Sequence, residues 1–113
     1  MHMTGAEFVR LCRAEKDDIL QEYFSPASGS EAAERIRALI ASGTDRDALL
    51  TLIDLVMTES WYRLLLGLDG AASLGGIQMT YQVLDEDGTL LNECGELEES
   101  AFAYFQEESG AET

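Results

Sequence analysis

The stretch Thr44–Leu68, TDRDALLTLIDLVMTESWYRLLLGL, decides the fold. Leu49, Leu52, Ile53, Val56 and Met57 recur at helical spacing, as do Leu64, Leu65 and Leu68, while Leu50, Leu55 and Leu66 fill the flanks of that stripe. Thr44 stands where an N-cap belongs, and Asp45 and Asp47 put negative charge in the first turn, where the helix dipole favours it. One helix of roughly 35 Å is therefore expected, about the width of a small domain. Because it is apolar around most of its circumference, it should be covered on several sides. Asp54, Glu59, Arg63 and Asp69 interrupt any run long enough to cross a membrane.

Upstream, Thr4 to Phe24 reads as a first helix, opened by the capping box Thr4-x-x-Glu7 and stopped at Ser25-Pro26. Its apolar face is Phe8, Leu11, Cys12, Ile19, Leu20, Tyr23 and Phe24, and Glu15, Lys16, Asp17 and Asp18 form its wet side. A short second helix starts at Ser28 or Ser30 and ends near Ser42, with Gly43 just beyond. These two should form a hairpin against the central helix. Downstream, Ile77 to Leu84 alternates Ile77, Met79, Tyr81 and Val83 with Gln78, Thr80 and Gln82, the period of a half-buried strand. Asp85-Glu86-Asp87-Gly88 is a turn, and Thr89 to Glu93 a returning strand. A last helix runs from about Leu97 to Glu107, with Leu97, Ala101, Tyr104 and Phe105 as its buried stripe. The expected class is α+β: a three-helix N-terminal part around a long central helix, a β-hairpin and a C-terminal helix. A single domain should span 1–113, with 1–3 as a tag remnant and 109–113 as a frayed tail.

Charge is the strongest compositional signal. The 113 residues carry 22 acidic and 7 basic side chains, a net charge of −15, with 46% hydrophobic residues to build a core. All the basic residues lie between Arg10 and Arg63, so the second half of the chain carries the negative field. Nucleic acid and anionic membrane are disfavoured as direct partners, since both are polyanions; a basic protein is favoured, or simple solubility. Cys12 and Cys94 lack any CxxC spacing, and two buried, reduced thiols in a cytoplasmic setting are expected. The chain opens without a signal-peptide pattern, which gives export no support.

Chemistry-bearing motifs are few. Gly70 to Gly76 is glycine-rich but has neither the lysine nor the following helix of a phosphate loop, so it reads as a structural connector, with a mobile ligand-contacting loop as the alternative. Aligning Gly88 with the glycine of a calcium loop puts Val83 and Cys94 at the terminal ligand positions, so a hairpin turn is the better reading of Asp85–Gly88. His2 is the sole histidine, which leaves neither a zinc ligand set nor a histidine-activated nucleophile. No enzyme, cofactor or metal is expected. Glu59 and Arg63 are spaced for a solvated i,i+4 ion pair, or for a polar pocket if turned inward. Trp61 and Tyr62 point in different directions around their helix, one free to join the core and the other to face a groove or partner. Tyr23, Phe24, Phe102 and Tyr104 are similar cases.

The run Trp61–Gly70, continued by Ala72–Gly76 and then Gln78, Tyr81 and Asp85–Gly88, resembles the core of small hypothetical bacterial proteins, a likeness covering about a quarter of the chain that implies no catalytic residue. In size and acidity the chain is also similar to bacterial immunity proteins and small phage-encoded inhibitors. Three functional expectations follow. The first is an acidic module that docks on a basic protein, as an immunity-type inhibitor would, through Asp85, Glu86, Asp87, Glu93, Glu96, Glu98 and Glu99. The second is a small-ligand pocket between the central helix and the hairpin, built from Glu59, Trp61, Tyr62, Arg63, Gln78 and Tyr81. The third is a homodimer through the hairpin edge.

Overall fold

The computed structural model describes residues 3–107, so the initial Met1-His2 and the proposed frayed tail lie outside the described residues. Among the described residues four α-helices follow one another: α1 (Gly5–Tyr23), α2 (Glu31–Ala41), α3 (Arg46–Leu68) and α4 (Glu96–Ala101). A 3-10 turn (Glu93–Gly95) leads into α4, and a π-helical turn (Phe102–Glu107) leaves it. Among the described residues helix accounts for 64% and strand or bridge for 4%, with no sheet. The chain is helical, and the α+β expectation with its β-hairpin is overturned.

The helix starts follow local capping chemistry. Thr4 Oγ1 accepts from the Glu7 amide at 3.1 Å, and Ser30 Oγ accepts from the Ala33 amide at 3.1 Å. The reciprocal half of the capping box is not made; Thr4 instead donates its hydroxyl to Glu7 Oε1 at 3.4 Å. At α3 the cap is Asp45, which accepts from the Ala48 amide at 2.8 Å, and not Thr44. Thr44 is drawn back to finish α2: its amide donates to the Leu39 carbonyl at 3.0 Å across Gly43, whose φ of 111° allows that reversal.

The core forms where the N-terminal half of α1, the C-terminal half of α3 and α4 meet. Val9, Leu65, Leu97, Ala101 and Phe105 are buried there, with Phe8, Cys12, Trp61, Tyr62, Leu68, Val83 and Tyr104 packed around them. Arg13 ties the C-terminal segment to α1 by donating to the Tyr104 carbonyl at 2.6 Å. The other end is thin. There α2 packs on α1, burying Ala33 and Ile36, and Arg37 donates to the Ser25 carbonyl at 3.1 Å. Of the 23 residues of α3 only Thr58, Leu65 and Gly67 are buried, so the helix expected to be wrapped on several sides is open over its first half. The radius of gyration, 16.3 Å, exceeds the roughly 13 Å of a compact domain of this length.

Lys16, assigned from sequence to the wet side of α1, is 2% exposed. Its ammonium lies 2.6 Å from Asp54 Oδ1 of α3 and 2.8 Å from Asp17 Oδ1, and the Thr58 hydroxyl donates to Asp54 Oδ1 at 3.4 Å. Asp54, an interruption without apparent purpose in the sequence, is what lets a lysine be buried between two helices.

The segment expected as a β-hairpin forms only two isolated bridges, Leu74–Ile77 and Leu84–Leu90. The turn itself closes: the Leu91 amide donates to the Val83 carbonyl at 2.7 Å, and the Asp85 amide to the Thr89 carbonyl at 3.1 Å. The ladder goes no further because its next backbone groups are already taken. The Tyr81 amide donates to the Leu68 carbonyl at 2.9 Å, at the end of α3. Asn92 accepts from the Val83 amide at 2.9 Å through Oδ1, and donates through Nδ2 to the carbonyls of Tyr81 at 2.5 Å and Leu68 at 3.4 Å. One buried side chain thus stands in for the partner strand. Ile77 and Met79, half of the expected apolar face, are exposed.

Candidate functional site

Two consecutive residues with positive φ shape the approach to α4: Cys94 at 54° and Gly95 at 74°. For Gly95 the conformation is unstrained; for Cys94 it costs about 1 kcal/mol or more and marks a point where the chain is held against its preference. This double bend brings the acidic stretch around α4 against α1 and α3. Glu96 Oε1 accepts from the Ala6 amide at 3.3 Å, at the N-terminus of α1, and Asp69 Oδ2 accepts from the Glu98 amide at 2.8 Å. The other Asp69 oxygen, Oδ1, is buried without a hydrogen-bond partner among the described residues.

Beside the bend lies a cleft of about 450 Å³ lined by Tyr62, Cys94, Gly95, Glu98, Glu99 and Phe102. It combines two aromatic rings, two carboxylates and a backbone corner. Tyr62 arrives from α3, one residue past Trp61, and is packed against the core. Glu98, Glu99 and Phe102 are exposed. A cation entering here would meet aromatic side chains and carboxylates together, groups of the kind that bind ammonium and guanidinium ions.

The seven acidic residues singled out from sequence divide into two kinds. Asp85 and Glu96 are engaged within the fold: Asp85 Oδ1 accepts from the amides of Asp87 at 2.9 Å and Thr89 at 2.8 Å, and Glu96 caps α1. Glu86, Asp87, Glu93, Glu98 and Glu99 are exposed, and among the described residues no ion pair joins any of the seven to a basic side chain.

The six residues expected around a small-ligand pocket are not brought together. Trp61 lines a shallow hollow with Ser60 and Leu64, and Tyr62 lines the cleft beside α4. Glu59 and Arg63 are exposed and form no ion pair with each other. Gln78 donates to the Gly70 carbonyl at 2.7 Å, and Tyr81 serves through its backbone. With no sheet, the hairpin edge expected to pair two copies does not exist either. Sequence reasoning flagged Tyr62 and Phe102 as candidate anchors without seeing that they share one cleft with Glu98 and Glu99. It placed Lys16 on the wet side of α1 and missed Asn92 altogether, for want of any motif.

The two thiols are free and differ in setting. Cys94 is exposed, contrary to the expectation of two buried thiols, whereas Cys12 is half-buried and desolvation pushes its thiol pKa up from the ordinary value. Since the thiolate is the reactive form, iodoacetamide at about pH 8 should modify Cys94 first and Cys12 several-fold more slowly. Cys12 should gain on it as pH climbs through its raised pKa. Peptide mass spectrometry over time checks this; equal rates would contradict the placement of the two residues.

No known protein family matches the chain, and neither the characterised proteins nor the solved structures compared with it include a significant match.

Proposed function

We propose that the chain is an acidic protein-binding module of the cytoplasm that docks on a basic protein, in the manner of an immunity-type inhibitor. The observation that carries this reading is the cleft in which Tyr62 and Phe102 stand beside Glu98 and Glu99. A lysine or arginine side chain of the partner enters between the rings, and its charge is met by the two carboxylates. The surrounding field, set by a net charge of −15, steers the encounter and speeds it. Rim carboxylates such as Glu86 and Asp87 contribute to rate, whereas the cleft, whose rings and carboxylates the partner's side chain covers on docking, contributes to lifetime. Among the described residues no helix is long and apolar enough to cross a membrane.

An arginine-rich peptide serves as probe. Binding measured by calorimetry should weaken with salt, and Glu98→Lys with Glu99→Lys should weaken it at least about tenfold. The same charge change made as Glu86→Lys with Asp87→Lys should cost only about two- to threefold. If the two double variants weaken binding equally, net charge alone is responsible and the cleft has no special part. If the peptide does not bind at low salt, the docking function fails.

A further inference from the structure

We infer that the side chain this cleft takes from its partner is an arginine, in preference to a lysine, which rests on the docking reading of the cleft and narrows it. On α4, Phe102 follows Glu98 by four positions and Glu99 by three, so it neighbours both carboxylates on the helix surface, and Tyr62 lines the same cleft from α3. The two glutamates do not point at one spot. Consecutive residues of a helix are turned from each other by about 100°. Glu98 leans back over the bend, its Oε1 lying 3.9 Å from where a Cβ on Gly95 would stand. Among the described residues neither carboxylate accepts a hydrogen bond or joins an ion pair, and the Tyr62 hydroxyl has no partner either. The cleft therefore offers separated acceptors beside aromatic surface.

That spread selects the cation. An ammonium is a compact, strongly hydrated point charge. It meets one carboxylate at contact distance, and it must shed water to approach the rings. A guanidinium is weakly hydrated and settles against aromatic side chains with its donors in a planar fork. Its separate nitrogens can serve Glu98 and Glu99 together and leave an N–H for the Tyr62 oxygen. Room is no obstacle, since the cleft measures about 450 Å³ and sites that enclose organic ligands start at roughly 300 Å³.

Calorimetry on the full chain at low salt, with hexa-arginine and hexa-lysine as probes matched in length and charge, tests the preference. Hexa-arginine should bind at least about fivefold more tightly. Phe102→Leu, which removes the ring and keeps apolar bulk, should cut that ratio to about twofold or less. Glu99→Gln should do the same by taking away one of the two carboxylates. Phe102 is 48% exposed and Glu99 is exposed, so both variants should keep the helical spectrum of the wild type. Glu86→Gln, outside the cleft lining, should weaken both peptides alike and leave the ratio standing. Equal affinities for the two peptides in the wild-type chain overturn the inference while docking on basic proteins stands. An arginine preference that survives both cleft variants, or that falls as far in Glu86→Gln, overturns it as well. Failure of both peptides to bind at low salt removes the docking reading itself, and the arginine preference with it.

Discussion

Replacing Asn92 by alanine should cost about 2–4 kcal/mol of folding stability, more than any change confined to the exposed surface. Asn92 is buried, and its amide serves three backbone groups on two segments. Truncation leaves the Val83 amide and the Tyr81 carbonyl without their partners, and each unsatisfied group in a part-buried setting costs about 1–2 kcal/mol. The weaker bond to the Leu68 carbonyl, at 3.4 Å, adds little. Against a total stability of about 5–15 kcal/mol this is a large fraction, and the melting temperature should fall by about 10–20 °C. Asn92→Asp makes the sharper comparison. It keeps an acceptor for Val83 but loses both donors and introduces a buried negative charge, so it should be at least as unstable as the alanine variant. Trp61, the only tryptophan, is packed against the core and reports unfolding in urea by fluorescence. If Asn92→Ala unfolds within about 0.5 kcal/mol of wild type, Asn92 is not what holds residues 81–83 in place.

That same side chain explains the limit of the sequence reading. Alternation from Ile77 to Val83 is a real pattern, but period two reports only which side chains are apolar. A strand also needs backbone partners, and here the Leu68 carbonyl and the Asn92 amide claim them first. No local feature of the sequence tells that an asparagine ten residues on from Gln82 folds back in place of a strand. The helices were legible because their signals are local: Thr4 and Ser30 cap where expected, and Gly43 turns the chain out of α2. Even there Asp45 displaced Thr44 as the cap of α3, because Thr44 was needed to close the preceding helix.

The candidate cleft was half legible for the same reason. An acidic run and a set of aromatic residues can be read from composition, and Tyr62, Glu98, Glu99 and Phe102 all stood out. Their convergence depends on the left-handed Cys94–Gly95 bend and on Asp69 receiving the Glu98 amide, contacts between segments 29 residues apart. Periodicity within the central helix misled in a different way. A helix apolar all round implies cover by its own chain, whereas α2 packs on α1 and leaves Leu52, Leu55 and Val56 open. Hydrophobic pattern states that a face wants cover, not which molecule provides it.

The buried lysine yields the second large effect, and its sign depends on which partner is removed. Lys16 is 2% exposed, whereas the side chains of Asp17 and Asp54 are 44% and 43% exposed. Taking away the ammonium leaves two carboxylates that water already reaches, so Lys16→Met, which keeps the apolar stem, should change stability by no more than about 1 kcal/mol. Taking away both carboxylate charges, as Asp17→Asn with Asp54→Asn, leaves the ammonium buried without a counter-charge and should cost about 3–5 kcal/mol. Adding Lys16→Met to that double variant should recover most of the loss, because the stranded charge is then gone. Urea denaturation of the four proteins completes the cycle, with an unchanged urea dependence showing that the unfolded states are comparable. A Lys16→Met chain as unstable as the double aspartate variant would mean that the attraction between α1 and α3 dominates over the penalty of burying the ammonium. Recovery in the triple variant would mean the reverse: the carboxylates make a buried lysine tolerable, and the apolar stem does the packing.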